Sequence, residues 1–295
     1  MFDLRYHVAS LAAVFLMLVV GILIGVGISG RGFVDDSERR QLTGRIEALQ
    51  DEVDAANANA DDLKRRQRAA EDFVESAYPV LADRRLEGKN IAILVLGPAD
   101  ASANAVERAI EEDADGHVTR MRALDLPLRL EAVESAVSDR PELGGYVGDG
   151  QLGNLGRDLG RELTAGKETP LWDVLEKEIV EVREGGFADP VDGVVVLRTA
   201  EPQAGETSRF LAGLYQGLGS AGIPVVGVEP TRVEQSAIPV FQRYRLSTVD
   251  GVDTPVGALA LLLTLADPDA AGNYGVRDTA DRILPPIEPL PAPSG

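Results

Sequence analysis

The sequence predicts an α/β protein with one N-terminal transmembrane helix, a coiled-coil stalk and a three-layer α/β head on a mostly parallel sheet. Three observations carry that expectation. An uncharged run opens the chain, a heptad pattern follows it, and short β-branched runs then alternate with helical stretches.

Residues 8–28 hold no charged side chain and are dominated by Leu, Val, Ala, Ile and Gly. A helix of that length spans about 30 Å, the hydrocarbon thickness of a bilayer. A secretory signal has a shorter apolar core, of about 7–15 residues, and ends in a small-x-small cleavage site. Gly27-Ile28-Ser29 is a poor version of that site, so the run reads as a retained anchor behind a short tail of residues 1–7. Gly21, Gly25 and Ser29 recur every four residues and form a face on which two membrane helices can approach closely. Arg5 precedes the span, and Arg31, Arg39, Arg40 and Arg45 follow it, interspersed with Asp35, Asp36 and Glu38. Long domains cross membranes largely regardless of such charges, so charge alone leaves the sidedness open.

Residues 36–78 read as the stalk. Leu42, Ile46, Leu49 and Val53 begin a seam of alternating four- and three-residue steps that continues through Leu63, Gln67, Ala70, Val74 and Ala77. Ile46, Val53 and Val74 at a, with Leu42, Leu49 and Leu63 at d, favour a parallel two-stranded coil, hence a homodimer. Gln67 at an a position costs stability and sets register. The competing arrangement is one amphipathic helix folded back on the head. Pro79, lacking an N–H and crowding the preceding turn, is expected to end the helix.

The head is expected over residues 89–284. Asn90–Gly97, Val191–Arg198 and Ile223–Pro230 read as interior parallel strands, and His117–Leu124, which alternates, as a strand nearer the edge. Helical patterns cover Ala103–Glu112, Leu130–Ser138, Leu152–Ala165, Leu171–Glu184 and Thr207–Ala221. Thr254 and Pro255 mark the N-cap and first position of a further helix. Strand alternating with helix gives a Rossmann-like sandwich. The Pro-rich residues 285–295 are expected to be extended or disordered.

Charge and composition exclude several functions. The net charge is −19, and residues 89–295 carry 18 Lys/Arg against 33 Asp/Glu, which argues against a nucleic-acid partner. The chain has no cysteine, which removes disulfides, thiolate metal sites and cysteine nucleophiles. Gly97–Ser102, after the first strand, matches neither a dinucleotide nor a Walker fingerprint. The glycine-rich stretch Gly144–Gly156 follows no strand and reads as a loop leading into a closely packed helix. With two histidines and no G-x-S-x-G, no hydrolytic triad can be assembled, so no catalytic residue and no cofactor are assigned and an enzyme is not expected.

The metal-ligand candidates are His7 beside the span, and His117 with Met121 on one predicted strand. Four strand residues cover about 13 Å, too far for one ion to bridge the latter pair. Asp250, Asp253 and Thr254 gather in Ser247–Gly257, where they either present carboxylates to a ligand or make an Asp-Gly turn and a helix start.

The opening LRYHVASLAAVFLMLVVGILIG, the stalk, the α/β head, STVDGVDTPVGALALLLTLAD and the short NYG resemble the mycobacterial copper transport protein B (MctB) family over nearly the whole chain. The strongest matching positions are Arg5, Tyr6, His7, Ser10, Phe15, Gly21 and Gly25 and the Thr248–Gly257 segment, with Tyr274-Gly275 a shorter matching element. The resemblance implies a plasma-membrane protein of the cell envelope in copper efflux and homeostasis, its head outside the cytoplasm, with copper as a transported ion. A related line of the same architecture implies an alternative: a scaffold in daughter-cell separation, working with a cytoplasmic partner and cell-wall hydrolases.

Overall fold

The structure, a computed structural model, describes residues 4–29, 36–148, 150–165, 168–187 and 189–289. Residues 1–3 of the expected N-terminal tail, Arg31 and Asp35 after the span, Asp149 in the glycine-rich stretch and residues 290–295 of the Pro-rich tail lie outside them. The chain divides into two compact units, residues 1–70 and 71–295.

In the first unit, α1 (Leu4–Ser29) gathers the apolar run into one helix. Its stretch His7–Val26 is long and apolar enough to cross a membrane. The helix α2 (Asp36–Ala82) begins in this unit and ends in the second. Along it Leu42, Ile46, Leu49, Val53 and Leu63 are all exposed.

The helix α2 does not stop at Pro79 but continues through it to Ala82. An interior proline costs a helix about 3 kcal/mol. Packing offsets that cost here. Ala82 and, just beyond the helix, Leu86 are fully buried with Ile110 and Ala114. Tyr78 packs on the same cluster and donates its hydroxyl to Asp113 at 2.6 Å. Burial and that carboxylate raise the Tyr78 phenol pKa well above its ordinary value.

The second unit is built from strands β1 (Asn90–Leu96), β2 (His117–Leu124), β3 (Val180–Gly185), β4 (Gly193–Arg198), β5 (Val225–Glu229), β6 (Ser247–Asp250) and β7 (Asn273–Tyr274). They form one sheet in the order β3-β2-β1-β4-β5-β6-β7, parallel throughout except for the β2–β3 pair. Alternate residues of β1 serve opposite faces. Ala92, Leu94 and Leu96 join the core under α4 (Leu130–Ser138), α5 (Leu152–Ala165), α6 (Pro170–Ile179), α7 (Gly205–Gly219) and α8 (Ile238–Arg243). Ile91, Ile93 and Val95 join the core under α3 (Ala101–Arg108), α9 (Pro255–Ala266) and the end of α2. Helices therefore cover both faces.

The structure differs from the sequence expectations in three further places. The helix expected over Leu171–Glu184 stops at Ile179, and β3 replaces its second half. Half-buried Val180 and Val182 alternate there with exposed Glu181 and Arg183, a two-residue period that suits an edge strand. That edge moves β2 one place inward. Arg120 and Arg122 of β2 lie buried beside the new edge, both against the Phe187 ring. Arg120 donates to Leu163 O and Asp189 O, and Arg122 donates to Glu184 O and pairs with Glu176. Burial lowers the Arg120 pKa to about 10, with the neighbouring charge of Arg122 acting in the same sense. Lastly, α3 passes into a π-helical turn, Ala109–Asp113, where the sequence suggested unbroken helix.

The helices α5 and α7 meet through glycine. A Cβ at Gly213 would strike the Gly153 carbonyl, one at Gly217 the Arg157 carbonyl, and one at Gly156 the Phe210 carbonyl. The expectation that the glycine-rich stretch leads into a closely packed helix holds at atomic contact. Gly213→Ala should therefore overpack this seam by about 1–3 kcal/mol. For a domain of this size that lowers Tm by about 3–10 °C, measured by circular dichroism on the full chain in detergent.

Candidate functional site

Open α/β sheets bind ligands beyond the carboxyl ends of their strands, at the point where the strand order reverses. The chain builds outward from β1 to β2 on one side and from β1 to β4 on the other, so the reversal lies between β1 and β4. A crevice of 490 Å³ opens there, bounded by Asp100 after β1, Arg198–Pro202 at the end of β4, and Pro230 with Arg232–Gln235 after β5.

The floor of this crevice is closed by the chain itself. Gly97, at φ 123°, lies so close to the β4 loop that a Cβ would come within 2.5 Å of Ala200 N. Thr199 N and Ala200 N both donate to Leu96 O, and Thr199 Oγ1 donates to Pro98 O at 2.7 Å. Arg198 crosses the floor to donate to Gln235 O at 2.6 Å. Asp100 accepts from Ser102 N and Ala103 N, so a carboxylate already occupies the start of α3, where a phosphate would sit in a nucleotide-binding relative of this fold. The missing glycine fingerprint thus has a structural counterpart. The rim sets Asp100, Glu201 and Glu234 against Arg198 and Arg232, and it presents no single-sign field.

Buried acids lie at the neighbouring strand ends. Glu229, at the end of β5, accepts from Ser236 Oγ and Ala237 N, both at 2.9 Å, and pairs with Arg277 Nε at 3.3 Å. Asp250, the last residue of β6, accepts from Val276 N at 3.0 Å and Arg277 N at 3.1 Å. Gly275, at φ 137°, presses on the Asp250 carboxylate, which leaves no room for a side chain. Asp253 accepts from Thr231 N and Thr231 Oγ1 at 2.6 and 2.8 Å. Thr254 donates to Gly251 O and accepts from Gly257 N, opening α9 with Pro255 behind it.

Asp250, Asp253 and Thr254 therefore lie near one another, yet each is engaged by a different part of the backbone. Asp250 belongs to a strand and is buried, while the other two sit in the turn after it. Elsewhere His117 is exposed at the start of β2, and Met121, on the same strand, is buried in the core. His7 is exposed on α1, and nothing lies within 4 Å of where a Cβ on Gly21 or Gly25 would stand. Ser29 is the last residue of that helix. Among the described residues, no three of His, Cys, Asp and Glu stand close enough to hold a metal ion.

Sequence reasoning missed Glu229, Ser236 and Arg277. A signal for the first was present: Glu229 is an acid at the end of an otherwise apolar strand, Val225–Glu229.

Residues 1–285 match the family model described as "Copper transport outer membrane protein, MctB". The chain belongs to the MctB family. Proteins named "Copper transporter MctB" from Mycobacterium tuberculosis and Mycobacterium bovis are 24% identical to it over 306 aligned positions, covering 93% of this chain and 95% of theirs.

Two stretches singled out in the sequence, Thr248–Gly257 and Tyr274-Gly275, form one clasp in space. The Asp250 carboxylate holds the backbone that follows Gly275. The Tyr274 hydroxyl donates to Ala270 O, and Thr248 Oγ1 bonds Asn273 Oδ1 at 2.9 Å. Asp250→Ala leaves two backbone amides without their acceptor, at a cost of about 2–4 kcal/mol. The segment after Gly275 should then become a fast tryptic site at Arg277 and Arg282, read by limited proteolysis against the parent protein.

Proposed function

We propose that this MctB-family chain is a single-pass plasma-membrane protein whose head stands outside the cytoplasm and which takes part in copper efflux and homeostasis. The observation that carries this reading is the family match over residues 1–285, which covers both the apolar α1 and the α/β head. The relatives' name, copper transporter, supplies the substrate class.

Copper is cargo in this reading. Cu(I) favours thiolate and thioether ligands and Cu(II) favours imidazole. The chain offers no cysteine, three methionines and two histidines. That scarcity supports a role in which ligands from other copies or other proteins complete the path. One membrane helix encloses no pore. The central strands of the head are buried under helices on both faces, unlike the lipid-facing alternation of a barrel wall.

A second reading rests on the same scarcity of ligands and on the acidic head: a dimeric tether in the cell envelope that presents the head to a protein partner in cell separation and hydrolase regulation. Deletion separates the two. Cells lacking the protein should hold more copper and stop growing at copper levels the parent tolerates, with recovery on return of the full chain. Unchanged copper tolerance with daughter cells that fail to part would leave the tether and remove copper.

Sidedness has a direct test because the chain has no cysteine background. Glu131→Cys, exposed at the start of α4, should react with an impermeant maleimide in intact cells. Labelling only after lysis would place the head inside and remove both readings.

A further inference from the structure

The end of α2 changes the face it offers. The seam residues from Leu42 to Leu63 are more than half exposed. Sustained burial begins at Val74: Val74, Ala77, Tyr78 and Leu81 are half-buried and Ala82 is fully buried. The head thus takes the stripe on which Val74 and Ala77 would continue the heptad seam. On the adjoining stripe, Phe73 and Val80 lie seven residues apart and are 72% and 76% exposed. Two large apolar side chains two turns apart on one helix face mark a contact that the single chain leaves unmade.

The spacing accommodates a change of stripe. Leu63, Gln67 and Ala70 advance by four and three residues, and a further step of three reaches Phe73, with Val80 seven residues beyond it. One additional three-residue step is a stammer, which overwinds a coiled coil locally without breaking it. Ala69 and Ala70 at this point are small enough for two helices to close together.

We propose that a second copy of this chain covers this face: two stalks pair in parallel along the Leu42–Ala70 seam, and the pairing passes to Phe73 and Val80 where the head has taken the Val74 stripe. Chain order selects a second copy in parallel. An apolar α1 precedes each stalk, so two copies anchored in one membrane send their stalks out in the same direction from the same level. Charge agrees, since Arg66 at a g position faces Glu71 of the second copy at e. Because Phe73 and Val80 belong to the same compact unit as the head, contact through them holds the two heads in one mutual orientation. The proposal does not depend on copper.

Single-cysteine variants of the full-length chain in native membranes test it, each oxidised mildly and read as dimer on a non-reducing gel. A disulfide needs Cβ atoms about 3.5–4.5 Å apart, so Leu49→Cys and Phe73→Cys should give about tenfold more dimer than Asp51→Cys on the outer stripe, and more than Val74→Cys. Val74→Cys linking as well as or better than Phe73→Cys would show a straight seam and overturn the change of stripe. Silence at both Leu49→Cys and Phe73→Cys, or equal linking at Asp51→Cys, would overturn the pairing itself.

Discussion

Strands that are apolar on both faces must be covered twice. Ile91 to Leu96 are buried without interruption, as are Val194 to Leu197 and Val225 to Glu229. No strand of this kind can face water on one side, so helices must cross over on alternate faces and the order of strands must reverse somewhere. The reversal at β1 and β4 follows from that requirement. So does the dense α5–α7 contact, because two helices sharing one face of the sheet approach this closely only where glycine leaves out the side chain.

The same constraint explains why the usual ligand position does not become a nucleotide site. Gly97 and Ala200 bring the two loops together, and both Thr199 N and Ala200 N turn back to Leu96 O instead of outward. The polar groups at the carboxyl edge are used in holding loops. Glu229 accepts an amide from the loop that follows its own strand, and Asp250 and Asp253 accept backbone amides from segments more distant in sequence. The burial of Glu229 and Asp250 is tolerable because the charge is met by hydrogen bonds, and in the case of Glu229 also by Arg277. In this chain the segment around Asp250 thus has a mechanical meaning: it locks the last strand and the segment after it onto the sheet.

Two solvents shape the chain. The segment His7–Val26 satisfies its backbone within one helix, as a bilayer requires, and carries no polar face. The head, with its acidic surface, is built for water. Between them, α2 carries a stripe of Leu, Ile and Val that a single copy leaves exposed along its first half. Apolar helix, exposed stripe and α/β head are thus separate physical problems solved in series along the chain.

Much of this was legible without coordinates, for reasons that can be named. Unbroken apolarity at residues 8–28 requires a membrane-length helix whatever surrounds it. The runs at Asn90–Leu96 and Gly193–Arg198 are too short and too β-branched to be anything but interior strands, and Thr254-Pro255 carries its own helix start. What sequence could not decide are the features that depend on a partner far along the chain. Val180–Gly185 is a strand because β2 offers it an edge, and α2 passes Pro79 because Tyr78, Ala82 and Leu86 find a core beneath them. For Asp250 the sequence favoured a turn over a ligand, and only the arrival of Val276 and Arg277 showed which structural use its carboxylate has. Local pattern determines which elements form, since propensity and periodicity act over a few residues. Tertiary structure decides their ends and the use of their polar groups, because those depend on neighbours that sequence distance conceals.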